Sequence, residues 1–143
     1  MTIDLRGVFK PVTDVSGLQR PIKALVCDIM GTLIKKDGSL NRPLHDFLLW
    51  SKQNGTEVLL ASQTPEHSLK ALNAAGCDAS LIGEKLHDKS LLQDALARDD
   101  KSYAVIDDTI LIWLEADIAV HPESQRLEKF LANRSYETAT PVL

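Results

Sequence analysis

The feature that most narrows what this chain can fold into is a set of short, unbroken apolar runs, each stopping at a polar residue. Residues 23–28 (KALVCD), Val58 to Ala61, Ala104 to Ile106 and Ile118 to Val120 are rich in β-branched residues and show no apolar/polar alternation. An amphipathic surface strand alternates, so unbroken apolar character marks strands buried on both faces, as in a parallel sheet covered by helices on each side. Between the runs lie segments with helical spacing. Leu44, Phe47 and Leu48 share one helical face, as do Leu69 and Leu72, then Leu91, Leu92, Ala95 and Leu96, and finally Leu127, Phe130 and Leu131. The alternation predicts an α/β fold: a doubly wound, Rossmann-like parallel sheet flanked by helices and joined by right-handed crossovers.

Boundary signals agree with this reading. Asn41 and Pro43 open the first helix and Asn54-Gly55 closes it; Thr64-Pro65 opens the second and Ala75-Gly76 closes it. The third helix is expected to start near His87, and a weaker strand is expected over Ser80 to Ile82. A chain of 143 residues suits one domain, placed at 23–134. Residues 1–22, with Pro11, Gly17 and Pro21, read as an N-terminal extension or arm, and residues 135–143 as a frayed C-terminal tail.

Composition narrows the function classes. A net charge of −4 offers no general attraction to nucleic acid or to an anionic membrane, so neither is expected as a partner. No stretch approaches the roughly 18 apolar residues needed to span a bilayer, and the opening MTIDLRGVFK lacks an apolar leader segment. Cys27 and Cys77 are isolated thiols, which fit a reducing compartment, and the expected location is the cytoplasm. The histidines His45, His67, His87 and His121 have no metal-ligand spacing and read as surface or capping residues.

In open α/β sheets ligands bind beyond the carboxyl ends of the strands. Asp28 ends the first run, Ser62 follows the second, Asp107-Asp108 follow Ile106, and Lys89 stands in the first turns of the helix before that strand. Three carboxylates, a hydroxyl and an ammonium from distant parts of the chain are thus predicted to meet on one rim. Ser62 also reads as a cap ahead of Thr64-Pro65, and Lys85 is a rival to Lys89 one helical turn away.

The segment Cys27-Asp28-Ile29-Met30-Gly31-Thr32-Leu33 resembles the first motif of the haloacid dehalogenase-like superfamily, an Asp at a strand end followed by two residues and Gly-Thr-Leu. Leu59-Leu60-Ala61-Ser62 resembles its second motif, Lys89 fits the third, and Val105-Ile106-Asp107-Asp108 resembles the acidic fourth; the resemblance spans roughly residues 23–131. It implies Asp28 as a nucleophile that forms an aspartyl-phosphate. It further implies a Mg²⁺ held by Asp28, the backbone carbonyl of Met30 and Asp107, with Asp108 binding through water. Phosphoryl oxygens would be received by Ser62, Lys89 and the backbone around Gly31 and Thr32.

One position departs from the pattern. Phosphatases of the family carry a second Asp two residues after the nucleophile, as general acid and base; here that residue is Met30, whose thioether transfers no proton. The intervals from Leu33 to Asn41 and from Ser62 to Lys89 leave no room for a cap domain. Capless relatives often close their sites with a neighbouring subunit, and the Lys35–Leu40 hairpin suits such a flap, so a homo-oligomer is expected. Three readings stay open: a slow Mg²⁺-dependent phosphohydrolase acting on a phosphorylated small molecule or macromolecule, a catalytically inactive binding or regulatory domain, and a phosphotransferase using the same Asp.

Overall fold

The computed structural model describes residues 2–3, 22–113, 115–138 and 141–142. Thr2–Ile3 (β1) pairs antiparallel with Pro141–Val142 (β7), so two short ends of the chain meet. Apart from residues 2–3 and 22, the arm expected over 1–22 lies outside the described residues. The body follows the order Ala24–Asp28 (β2), Arg42–Gln53 (α1), Glu57–Ser62 (β3), Pro65–Ala75 (α2), Ala79–Ile82 (α3), His87–Asp88 (β4), Lys89–Arg98 (α4), Tyr103–Ile106 (β5), Ile118–Val120 (β6) and Gln125–Ala132 (α5).

The main sheet has five strands, all parallel, in the order β4-β3-β2-β5-β6. β2 is central and buried along its whole length, as its unbroken apolar run requires. Its alternate residues serve two cores. Leu25 and Cys27 join Leu44, Phe47 and Leu48 of α1, Leu72 of α2 and Phe130 and Leu131 of α5; Ala24 and Val26 join Leu92 and Leu96 of α4 with Trp113. Each such apolar side chain taken fully out of water contributes about 1.5–3 kcal/mol, and helices on both faces remove both rows of β2 at once. The doubly wound α/β arrangement is therefore present, and among the described residues no cap domain interrupts it.

The capping signals act locally as their chemistry dictates. The Asn41 side chain accepts a bond from the Leu44 amide, Pro43 sits in the first turn of α1, and Asn54 closes that helix. Gly76 ends α2 with φ +82°, a left-handed conformation that costs glycine least.

Two expected elements differ. Ser80 to Ile82 lies in the short helix α3, not in a strand, because Asp78 caps its start by accepting from the Ser80 amide. The edge strand is instead β4, at His87–Asp88, where the third helix was expected to begin; α4 starts at Lys89, with Asp88 accepting from the Ser90 and Leu91 amides. The expected fraying after residue 134 does not reach Tyr136, which is 1% exposed and packs its ring at a tilt against Phe47, Trp50 and Phe130. Residues 35–39 form an exposed hairpin closed by the Ile34–Leu40 bridge.

Candidate metal and phosphate site

The sheet winds outward in both directions from β2, so its topological reversal lies between β2 and β5, and the carboxyl ends of those two strands open a crevice. Asp28 is the last residue of β2, and Asp107 follows β5 directly. Both carboxylates are buried, Asp28 at 4% exposure and Asp107 at 0%. Lys89, the first residue of α4, reaches between them: its Nζ lies 2.7 Å from Asp28 Oδ1 and 2.8 Å from Asp107 Oδ2. It can do so because β4 pairs in register with the end of β3, Ser62 opposite Asp88, which starts α4 on the same rim.

The turn after Asp28 is tightly wound. The Ile34 amide donates to the Ile29 carbonyl at 2.9 Å, the Gly31 amide to Ile34 at 2.8 Å and the Thr32 amide to Ile29 at 3.2 Å, while the Thr32 hydroxyl donates to Asp28 Oδ2 at 2.9 Å. Gly31 has φ +85°, and a Cβ there would stand 2.6 Å from Asp108 Oδ2, so this glycine serves both the turn and the close approach of the Asp108 loop. The amides of Gly31 and Thr32 are spent within the turn. Thr32 meets the site through its hydroxyl, on the Asp28 carboxylate.

Asp107 is held from three sides. Lys89 and the Trp113 indole N–H, each at 2.8 Å, donate to Oδ2, and the Thr109 amide donates to Oδ1 at 2.8 Å. Burial pushes this carboxyl up, but the Lys89, Trp113 and Thr109 donors outweigh it and hold the group below the ordinary carboxylate value. Asp28 behaves oppositely. Desolvation, together with the nearby Asp107 charge, outweighs Lys89 and Thr32 and pushes it up to about 6. Burial alone would lower the Lys89 pKa, yet the two carboxylates outweigh it and hold the ammonium above the ordinary value.

Asp28, Asp107 and the exposed Asp108 each offer a carboxylate oxygen, and these atoms lie within 4.8 Å of one another, so the cluster could hold a metal ion. Three carboxylates against one ammonium leave a formal charge of −2 when all are ionised. All the donors are hard oxygens, the set that suits divalent ions of the magnesium and calcium kind. Among the described residues no backbone N–H donates to the Met30 carbonyl, which leaves it available as a further oxygen.

Ser62 is buried at the end of β3, one residue beyond Ala61, the register partner of Asp28. Its Oγ accepts from the Thr64 amide at 3.0 Å and shares a 2.6 Å bond with the Ser68 hydroxyl. It therefore does the capping work at the start of α2, where Thr64 makes no side-chain cap. If Ser68 is the donor of the shared bond, the Ser62 proton stays available to a ligand. Lys85 is exposed and lines a separate cleft of about 450 Å³ between β3, β4 and α4, whose lining does not include the three carboxylates. Of the histidines, His45 accepts from the Asp78 amide and His121 from the Glu123 amide, and neither joins the acidic cluster.

The sequence reading missed Trp113 and Ser68. Trp113 stood in the apolar segment Ile110-Leu111-Ile112-Trp113, where its only signal was that a buried indole N–H needs an acceptor. Scans of the chain against protein-family models, curated proteins and solved structures find no match. Among the described residues no helix is long and apolar enough to cross a membrane.

Proposed function

We propose that this chain is a haloacid dehalogenase-like, Mg²⁺-dependent phosphohydrolase that works through an aspartyl-phosphate on Asp28 and turns over slowly. The observation that carries the reading is the convergence of Asp28, Asp107, Asp108 and Lys89 in the crevice between β2 and β5. Asp28, Asp107, Asp108 and the Met30 carbonyl would hold the ion, which supplies positive charge against a phosphoryl group and its oxygens. Hard oxygens and a formal charge of −2 fit it.

The chain's own residues supply the rest. An Asp28 oxygen attacks phosphorus as the ester P–O bond breaks and its electron pair leaves with the alcohol oxygen; water then attacks the aspartyl-phosphate, frees inorganic phosphate and restores the carboxylate. Lys89 neutralises negative charge beside Asp28, and the Ser62 hydroxyl can donate to a phosphoryl oxygen. Thr32 and Lys89 fix the Asp28 rotamer from its two oxygens. Nothing at position 30 can protonate the leaving oxygen, and the loss of a positioned acid is worth about 10²–10⁴-fold in rate. With no cap domain, the rim admits a phosphate carried by a small molecule or by a macromolecule.

A second reading, a binding or regulatory domain that holds the cation without turnover, is favoured by Met30 itself, 37% exposed where an acid–base residue would stand. A third, transfer of the phosphoryl group to an acceptor other than water, uses the same Asp28.

The deciding experiment is Mg²⁺-dependent phosphate release from an aryl phosphate and a panel of small phosphoesters by wild type, Asp28→Asn and Met30→Asp. Slow turnover that Asp28→Asn abolishes and Met30→Asp raises by about 10²-fold or more supports the hydrolase. Equal silence of wild type and Asp28→Asn sinks it and leaves the binding domain. A phosphoryl group trapped on Asp28 without hydrolysis selects phosphotransfer.

A further inference from the structure

One loop holds both oxygens of Asp107. The chain leaves β5 through Asp107 and Asp108, makes a 3-10 turn over Ile110–Ile112 and returns at Trp113. Its first backbone amide, Thr109, donates to Oδ1, and the indole at its end donates to Oδ2. Trp113 is 0% exposed and meets Tyr103 edge-to-face at 6.3 Å between ring centres, so its N–H is fixed in direction by packing.

A carboxylate has about four lone-pair sites, two on each oxygen. On Asp107, Oδ2 receives both Lys89 and Trp113, so its two sites are filled, while among the described residues the only N–H donated to Oδ1 is that of Thr109, which leaves a site on the side of the neighbouring Asp108 carboxyl. Asp28 differs, with a single donor on each oxygen among the described residues, Lys89 on Oδ1 and Thr32 on Oδ2. Denticity is therefore restricted at Asp107. Mg²⁺ demands near-ideal octahedral geometry and keeps several waters, which one oxygen per carboxylate satisfies; Ca²⁺ takes more oxygens and readily binds a carboxylate through both.

We infer that Trp113 is a positioning residue that closes Oδ2 of Asp107 to a cation, keeps that ligand monodentate through Oδ1, and so biases the site toward Mg²⁺ over Ca²⁺. The inference rests on the cation site proposed above. A tryptophan that merely packs would affect both ions alike.

The test is calorimetric titration of the full chain with Mg²⁺ and, separately, with Ca²⁺, for wild type and Trp113→Phe. Because a phenyl ring leaves space in a buried site, the same titrations are run on a Trp50→Phe chain whose remaining tryptophan is replaced by the sulfur isostere benzothienylalanine, which keeps the shape and lacks the N–H. Loss of the N–H is expected to lower the ratio of Mg²⁺ to Ca²⁺ affinity by about tenfold or more, the scale of outer-sphere changes at metal sites. If the folded isostere chain shows an unchanged ratio, whether both affinities fall together or neither moves, the inference is overturned while the cation site stands. If wild type binds neither ion, the proposed cation site fails, and this inference with it.

Discussion

Asp28 and Asp107 stand at the ends of adjacent strands, are both buried and share one ammonium, yet their proton affinities move in opposite directions. The difference lies in what else each touches. Asp28 receives Lys89 and the Thr32 hydroxyl, while Asp107 receives Lys89, an indole N–H and a backbone amide. Burial raises any carboxyl's pKa, and fixed donors to the charged form lower it. Asp107 has enough donors to stay a carboxylate without help. Asp28 has fewer donors, so its carboxyl is pushed up to about 6 and takes up a proton at mildly acid pH, where Asp107 stays charged.

The largest way to break this contrast is to remove the shared cation. Lys89→Met, which keeps the stem and deletes the ammonium, leaves two buried carboxylates facing each other and is expected to cost about 3–5 kcal/mol at neutral pH in urea unfolding. The asymmetry should survive, because both carboxyls lose the same donor while Asp107 keeps Trp113 and Thr109 and Asp28 keeps Thr32; its disappearance would break the contrast. A cost under about 1 kcal/mol would mean that water already screens the pair.

Next in size is the pH dependence. A carboxyl whose folded value is raised contributes stability that is fully present below its unfolded value, about 4, and is lost as pH climbs through the folded value. For Asp28 that window runs from about 4 to about 6. Asp107 works the other way, its contribution present above about 4 and lost as pH falls below it. Chelator-treated wild type should therefore lose up to about 3 kcal/mol between pH 4 and 6.5, at about 1.4 kcal/mol per pKa unit. Asp28→Asn should abolish this slope. Asp107→Asn should reduce it, by removing the neighbouring charge and leaving Lys89 to Asp28, while the burial that is the main cause of the raised value remains. Saturating Mg²⁺ should flatten the slope in wild type, since a cation holds Asp28 charged, and at about 100 times its dissociation constant it should add about 2.7 kcal/mol of stability. A wild-type profile that is flat without metal would refute the raised Asp28.

The smallest effect sharpens the contrast by touching neither carboxylate. Gly31→Ala sets a side chain at φ +85° and pushes on Asp108, so a loss of about 1–2 kcal/mol is expected. The Asp28 pH slope should survive, and Mg²⁺ should bind more weakly through the displaced Asp108. A changed slope would show that Asp108 is coupled to the buried pair more closely than its exposure suggests.

Much of the scaffold was legible before any coordinates. β2, β3, β5 and β6 coincide with the unbroken apolar runs. Asn41, Asn54 and Gly76 cap the helices they were expected to bound, and α2 opens at Thr64-Pro65 as expected, with Ser62 and not Thr64 supplying the side-chain oxygen. The misreadings have physical causes. Ala79–Ile82 is too short for periodicity to separate helix from strand, and the decision fell to the Asp78 side chain. β4 carries no apolar run because a two-residue edge strand buries little, so only its pairing with Ala61 and Ser62 defines it.

The sequence by itself determined which residues end the central strands, because strand burial and helix capping are set by side chains within a few positions of each other. It thereby identified Asp28, Ser62, Lys89, Asp107 and Asp108 as candidates for a common rim. Only the tertiary structure decided which of them touch, which carboxyl is pushed up and which is held down, and that Trp113 holds Asp107. Those outcomes depend on donors that approach across strands and from a returning loop, at separations of 2.7–2.8 Å for Lys89 and Trp113 that no local pattern encodes.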